Sequence, residues 1–292
     1  MSGGTVPPTV GLVLPTLARG ASSAGVEAAA DVAERVGWRD VWVPDHVLVD
    51  RASAAQYGHV LDPIVTLAHV AARHPALGVG TSVLIVPMRN AVVLAKELAT
   101  LDLLTGGRLS VGVGVGWIEG EFRNLGAGER FRRRGAYLEE AIRLWRHLWS
   151  GSQEPVQGRF HPLDDFAFGP MPAQGAALPI WIGGRVPAAV MRAGRLGDGY
   201  MASQTSPDEL VERRRWLESA AAAARRATPP IAVRTVLSAE ERSNPGSAVA
   251  RIDAYGRAGA DRVIVSAGTP DPEVLVPAVE RLAEALESRR EA

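Results

Sequence analysis

Short apolar runs and amphipathic stretches alternate along this chain. Val10 to Leu14 is an apolar run closed by Pro15, the pattern of a buried parallel strand. Ser22 or Ser23 can cap the helix that follows. Val26, Ala29, Ala30, Ala33 and Val36 share one of its faces, Glu27, Asp31, Glu34 and Arg35 the other, and Gly37 stops it. Val41 to Val43 predicts a second strand ending in Pro44-Asp45-His46, then a loop of about fifteen residues and a helix with Pro63 at its first position. Val79 to Val86 predicts a third strand, and Asn90 caps a helix that ends at Gly106-Gly107.

The fourth strand is the most unusual segment. Leu109 to Trp117 takes glycine at every second position, so Gly112, Gly114 and Gly116 point to one side. A face without Cβ atoms admits either tight packing at a barrel bend or the close approach of a flat ligand. Helical periodicity then runs over 132–149. Pro179 to Ile182 predicts the fifth strand, ended by Gly183-Gly184 before a helix to Arg195. Strands at Gly199–Ala202, Ile231–Leu237 and Arg262–Val265 are followed by helices at Pro207–Arg226, Ser247–Arg257 and Pro272–Ser288. Eight strand–helix units predict an α/β fold, a (β/α)8 TIM barrel in one domain over 1–292. A doubly wound sheet needs a phosphate-binding fingerprint after its first strand, and Leu14 to Gly20 is not one. The segment 151–178 has no helical period and reads as an insertion between the fourth helix and fifth strand, expected as a lid over the site.

Composition narrows the function classes. The 292 residues are 47% hydrophobic and 22% charged, which suits a globular core. Lys+Arg is 32 and Asp+Glu is 32, so no electrostatic footprint for nucleic acid or an anionic membrane is expected. Zero cysteines exclude disulfides, thiolate metal sites and a cysteine nucleophile. The first residues lack the blocks of a signal peptide, and a frayed N-terminus and a cytoplasmic protein are expected.

In such a barrel the working residues lie just past the carboxyl ends of the strands. Those ends carry one good imidazole, His46, with many glycines and few carboxylates, a poor set for metal hydrolysis. His46 is either a structural residue or a group that bonds a redox ring or moves a substrate proton. Asp45 beside it suits a turn-holding role. Gly183-Gly184-Arg185 at a helix start is either a tight turn or a phosphate site. Trp42 and Trp181 read as core or rim packing, whereas Trp117 lies beyond the bare-faced strand. Arg130, Arg132, Arg133 and Arg134 form a run expected on a solvated face or at an anionic cofactor tail.

Together these stretches resemble the luciferase-like monooxygenase superfamily along nearly the whole chain. The resemblance rests on Trp42-Val-Pro-Asp-His46, Thr81-Ser-Val-Leu-Ile-Val-Pro87 and Leu94-Ala-Lys-Glu-Leu-Ala-Thr-Leu-Asp102 with Gly106-Gly-Arg108. Gly112-Val-Gly-Val-Gly-Trp117 with Glu121-Phe122, Pro179-Ile-Trp-Ile-Gly-Gly184 and Leu196-Gly-Asp-Gly199 complete it. The compact length and the Gly-Val-Gly-Trp pattern are similar to the branch dependent on coenzyme F420, a deazaflavin. The resemblance implies a non-prolyl cis peptide at Ser82-Val83 that backs the cofactor ring, with His46 facing it. It implies cofactor contacts from Asp45, Gly114 and Trp117, and phosphate contacts from Gly183, Gly184 and Arg185. The superfamily's sugar-phosphate dehydrogenases carry a glutamate where Trp117 stands, and a tryptophan where this chain has Val49-Asp50, which argues against sugar-phosphate oxidation. The reading is a hydride-transferring oxidoreductase acting on a small organic molecule. The alternatives are an FMN-dependent monooxygenase and a non-catalytic flavin-binding barrel. A homodimer through outer helices is expected by analogy.

Overall fold

A computed structural model describes residues 7–17 and 19–291; the expected frayed N-terminus lies largely outside them. The strands are β1 (Thr9–Val13), β2 (Asp40–Val43), β3 (Gly78–Thr81, resuming as Leu84–Ile85), β4 (Leu109–Gly114), β5 (Ile180–Gly183), β6 (Gly199–Ser203), β7 (Ile231–Val236) and β8 (Arg262–Ser266). The principal helices are α1 (Ser23–Arg35), α2 (Pro63–Arg73), α3 (Ala91–Thr105), α4 (Arg134–Trp149), α5 (Pro187–Leu196), α6 (Pro207–Ala223), α7 (Gly246–Arg257) and α8 (Pro272–Glu291). Every strand pairing is parallel, and β1 pairs with β8 as well as β2, so the sheet closes into a (β/α)8 barrel. Among the described residues no helix is long and apolar enough to cross a membrane.

The helix starts follow from local chemistry. Ser22 accepts the Gly25 amide at α1, Asp62 accepts the amides of Ile64 and Val65 ahead of α2, and Asn90 does the same for α3. Gly106 ends α3 at φ +66°.

The barrel interior is plugged by Val13, Trp42, Trp181, Met201, Ala232 and Ile264. Each indole lies over a glycine on the next strand. Trp42 is in register with Gly80 and Trp181 with Gly199, and a Cβ on either glycine would fall 2.4 or 2.1 Å from the ring. The two tryptophans meet edge to face at 6.4 Å.

Three expectations change. The third strand is interrupted at Ser82–Val83, where the side chain of Val83 turns in against Gly114 and Gly183. The glycine strand stops at Gly114, and Gly116 takes φ +72°, so the three glycines do not form one continuous strand face. The segment 151–178 is not a lid. Phe160 and His161 pack on Tyr137 of α4, Phe168 lies under Lys96 of α3, and Gln174 bonds Asp102 of α3. It connects a helix to a strand, so both its ends belong to the end of the barrel opposite the strand mouths. None of its residues lines the mouth cavity.

Candidate active site

The carboxyl ends of the strands surround a cavity of about 330 Å³, within the range of roughly 300–1,000 Å³ usual for small-molecule sites. Asp45, His46, Ser82, Val83, Gly114, Trp117, Gly183, Gly184 and Arg185 all line it. The lining also includes Leu17, Tyr57 and Arg234, for which the sequence predicts no cofactor contact, and Arg134 from the arginine run.

The glycines of β4 chiefly make room for protein. A Cβ at Gly112 would fall 1.9 Å from the Thr81 carbonyl oxygen, and one at Gly114 would fall 2.5 Å from a Val83 methyl. One at Gly183 would fall 2.8 Å from the other Val83 methyl, and one at Gly116 2.6 Å from Ile85. Between strand packing and a ligand, packing therefore takes the missing Cβ volume. The effect on the cavity is indirect. Val83 is seated between Gly114 and Gly183 as part of one wall, and the backbone from Gly114 to Gly116 forms the adjacent stretch. The Ser82–Val83 peptide bond is cis.

His46 follows β2 and is fixed by a residue far away in sequence. Its Nδ1 lies 2.9 Å from Glu121 Oε2, and the Val47 amide donates to Glu121 Oε1 at 2.6 Å. Glu121 is buried on a short helix (Glu119–Asn124) beyond β4. With the carboxylate accepting from Nδ1, a neutral His46 carries its proton there and leaves Nε2 as the acceptor. Among the described residues Nε2 has no hydrogen-bond partner. Tyr57, from a single-turn helix (Ala54–Tyr57) in the loop after β2, packs on the imidazole at 4.4 Å and meets Trp117 edge-on at 5.6 Å. Trp117 is 61% exposed, on the rim.

Asp45 is a holding residue. It accepts from the Ile85 amide at 2.9 Å and from Arg89 at 2.8 Å, tying β2 to the resumed third strand. Burial acts to depress the Arg89 pKa, but Asp45 and Asp62 raise it above the usual value, so Arg89 keeps its charge.

The opposite rim is cationic. Gly184 (φ +148°) leads into α5, whose start has no side-chain cap. Tyr200 donates to the Gly184 carbonyl at 2.8 Å; burial raises its pKa above the usual phenol value, which keeps the donor proton in place. Arg185 is exposed and donates to Gln204 at 2.5 Å. Of the arginine run, Arg132 and Arg133 face solvent while Arg134 lines the cavity.

In the sequence Glu121 stands out only within the Glu121-Phe122 stretch, and neither Arg234 nor Tyr57 is marked by any pattern. Nothing local in the sequence links Glu121 to His46.

The cavity fits a flat ring with a phosphorylated tail: an apolar wall at Val83, an oriented imidazole, and a cationic rim at an uncapped helix start. The chain is 35% identical over 180 residues to the F420-dependent glucose-6-phosphate dehydrogenase of Amycolatopsis mediterranei, covering 61% of this chain. That match spans 53% of the relative, so the chain spans about half the length of the curated relatives it matches. Its fold matches an F420-dependent secondary alcohol dehydrogenase in complex with an F420-acetone adduct, with a TM-score of 0.81, 20% identity and coverage of 96% of this chain and 99% of the other. It also matches the oxygenating constituent of 3,6-diketocamphane monooxygenase from Pseudomonas putida in complex with FMN, with a TM-score of 0.76, 16% identity and coverage of 96% and 98%. The luciferase-like monooxygenase family model matches residues 9–290, and the chain belongs to that family.

Proposed function

We propose that this protein is an oxidoreductase that moves a hydride between coenzyme F420 and a small organic substrate. The observation that carries the reading is the His46–Glu121 pair at the wall of a cavity bounded by Val83 and by the rim Gly183-Gly184-Arg185. The F420-dependent relatives support the choice of cofactor.

The bound deazaflavin supplies the carbon that gives or takes the hydride. The chain's residues supply everything around it. Val83 and the Gly114 backbone support the ring, and Ser82 and Asp45 hold the segment that carries Val83. Gly183, Gly184 and Arg185 bind the phosphate through amides and charge. His46 Nε2 accepts the hydroxyl proton of an alcohol substrate as its carbon is oxidised, and returns it in the reverse direction. Tyr57, with Trp117 edge-on against it, covers the imidazole from solvent. Trp117 places an indole, not a carboxylate, at the rim, and the substrate is proposed to be other than a sugar phosphate. A cytoplasmic homodimer goes with this reading. Exposed Val65 on α2 and exposed Val93 and Leu104 on α3 support pairing through outer helices, which light scattering reads directly.

Purified protein reloaded with F420 or with FMN tests the assignment by absorbance and fluorescence. Preferential retention of F420, with its visible absorbance changing on addition of a member of an alcohol and aldehyde panel, is expected. Clear preference for FMN with oxygen consumption would overturn it in favour of a monooxygenase.

A further inference from the structure

Arg234 stands on β7 one inward position above Ala232, a member of the apolar plug. Its neighbours in register are Ser203 on β6 and Ile264 on β8. The guanidinium therefore reaches into the cavity just above the plug, at its floor. It crosses the barrel to donate to the Ser82 carbonyl at 2.7 Å, the one protein acceptor it has among the described residues. Other arginines at the mouth are occupied differently: Arg89 is paired with Asp45, Arg134 donates to the Phe131 carbonyl, and Arg185 is bonded to Gln204 on the exposed rim.

A guanidinium has five N–H donors and stays protonated in proteins. Burial pushes the Arg234 pKa below the usual guanidinium value, opposed by Tyr57. Among the described residues no carboxylate forms an ion pair with it. The hydroxyl of Ser82, on the residue whose carbonyl Arg234 holds, is itself buried with no partner. A cation and an unused hydroxyl at the base of a ligand cavity are costly groups to leave unpaired.

We infer that Arg234, with the Ser82 hydroxyl beside it, is a built receptor for a planar anionic oxygen edge of whatever occupies the cavity. The inference rests on the reading of this cavity as a redox-ring and substrate site. Two sources bring such an edge. One is a substrate carboxylate. The other is the N1–C2=O edge of a reduced flavin or deazaflavin ring, over which the negative charge is spread. Arg suits either, because its planar fork matches two coplanar acceptors.

The test uses the full chain and the variants Arg234→Met, Arg234→Gln and Ser82→Ala, each checked for folding by circular dichroism. Tryptophan fluorescence is titrated with benzoate against benzamide, and anaerobically with reduced against oxidised cofactor. The wild type is expected to prefer the anionic member of one pair by at least tenfold. That preference falls to near unity in Arg234→Met and drops about threefold in Ser82→Ala. Preference for benzoate assigns the receptor to a substrate carboxylate, and preference for the reduced cofactor assigns it to the ring edge. Arg234→Gln keeps a donor for the Ser82 carbonyl while removing the charge, so it carries the comparison if Arg234→Met does not fold. No preference in either pair, or equal ratios in wild type and variant, overturns the inference. Failure of F420 to bind ends the cofactor reading alone, because benzoate discrimination and its loss in the variants are read without it.

Discussion

Glu121 Oε2 lies 2.9 Å from His46 Nδ1 while its Oε1 accepts from the Val47 amide at 2.6 Å, so one buried carboxylate fixes both the ring and the backbone that carries it. Exchanging the carboxylate for an amide separates these roles. In Glu121→Gln the amide oxygen still accepts from Val47, but its N–H₂ donates to Nδ1. That moves the imidazole proton to Nε2 and removes the acceptor from the cavity. We predict a fall in kcat for alcohol oxidation of about a hundredfold, the scale of a lost general base, with cofactor Kd nearly unchanged. A parallel loss in cofactor affinity would mean that Glu121 shapes the pocket and does not set the tautomer.

Val83 is wedged between Gly114 and Gly183, with its methyls 2.5 and 2.8 Å from where their Cβ atoms would stand. Gly114→Ala must push Val83 toward the cavity. The expected results are a stability loss of about 1–3 kcal/mol from overpacking and a cofactor affinity at least tenfold weaker. Val83→Ala made in the Gly114→Ala background recovers part of both, a non-additivity that a double-mutant cycle measures directly. Additive losses would show that the two side chains do not compete for one space.

The strands were readable because buried parallel strands are short apolar runs, and the helices because Asn90, Asp62 with Pro63 and Gly106 mark their ends chemically. Once the units alternate eight times, barrel geometry alone gathers His46, Ser82, Gly114 and Gly183, which no linear motif connects. What stayed hidden depends on contacts across the fold. Glu121 is 75 positions from His46, and no local pattern announces the pairing. The alternating glycines were ambiguous for a physical reason. A missing Cβ admits a neighbouring strand as readily as a ring, and only coordinates show that Thr81, Val83 and Ile85 fill the space. Chain order could have placed 151–178, since a segment leading from a helix back to a strand starts and ends away from the strand mouths, but its lack of helical period suggested a lid instead.

Arg185, exposed and held by Gln204 near the uncapped start of α5, supplies charge at the cavity rim. Arg185→Ala is predicted to weaken F420 binding by about tenfold, the scale of one charge-assisted contact. Binding of a cofactor analogue lacking the phosphate should change by less than about threefold, a contrast that fluorescence titration of both ligands resolves. Equal losses for the two ligands would remove Arg185 from the phosphate site and leave it a packing role.

Acid sensitivity is expected from Glu140 and His161 on the outer wall. Glu140 accepts the amides of Arg159, Phe160 and His161 at 3.1, 2.7 and 2.8 Å, and His161 Nδ1 lies 3.2 Å from the same carboxylate. Burial pushes the Glu140 carboxyl up, but the backbone donors outweigh it and its pKa lies below the usual value of 4.5. Burial holds the His161 imidazole below its usual 6.5 against the pull of Glu140, and its Nε2 is buried without a partner. In both cases the folded protein binds fewer protons than the unfolded chain, so stability falls as pH drops. The His161 share is lost from pH 6.5 downward to its lower folded value, and the Glu140 share from 4.5 downward. Urea unfolding across this range should show a decline of at most about 1.4 kcal/mol per pH unit from each group. His161→Gln keeps a donor toward Glu140 but does not titrate, and is predicted to flatten the upper limb while leaving the fall below 4.5 in place. An upper limb that overlays the wild type would show that some other group takes up the proton there.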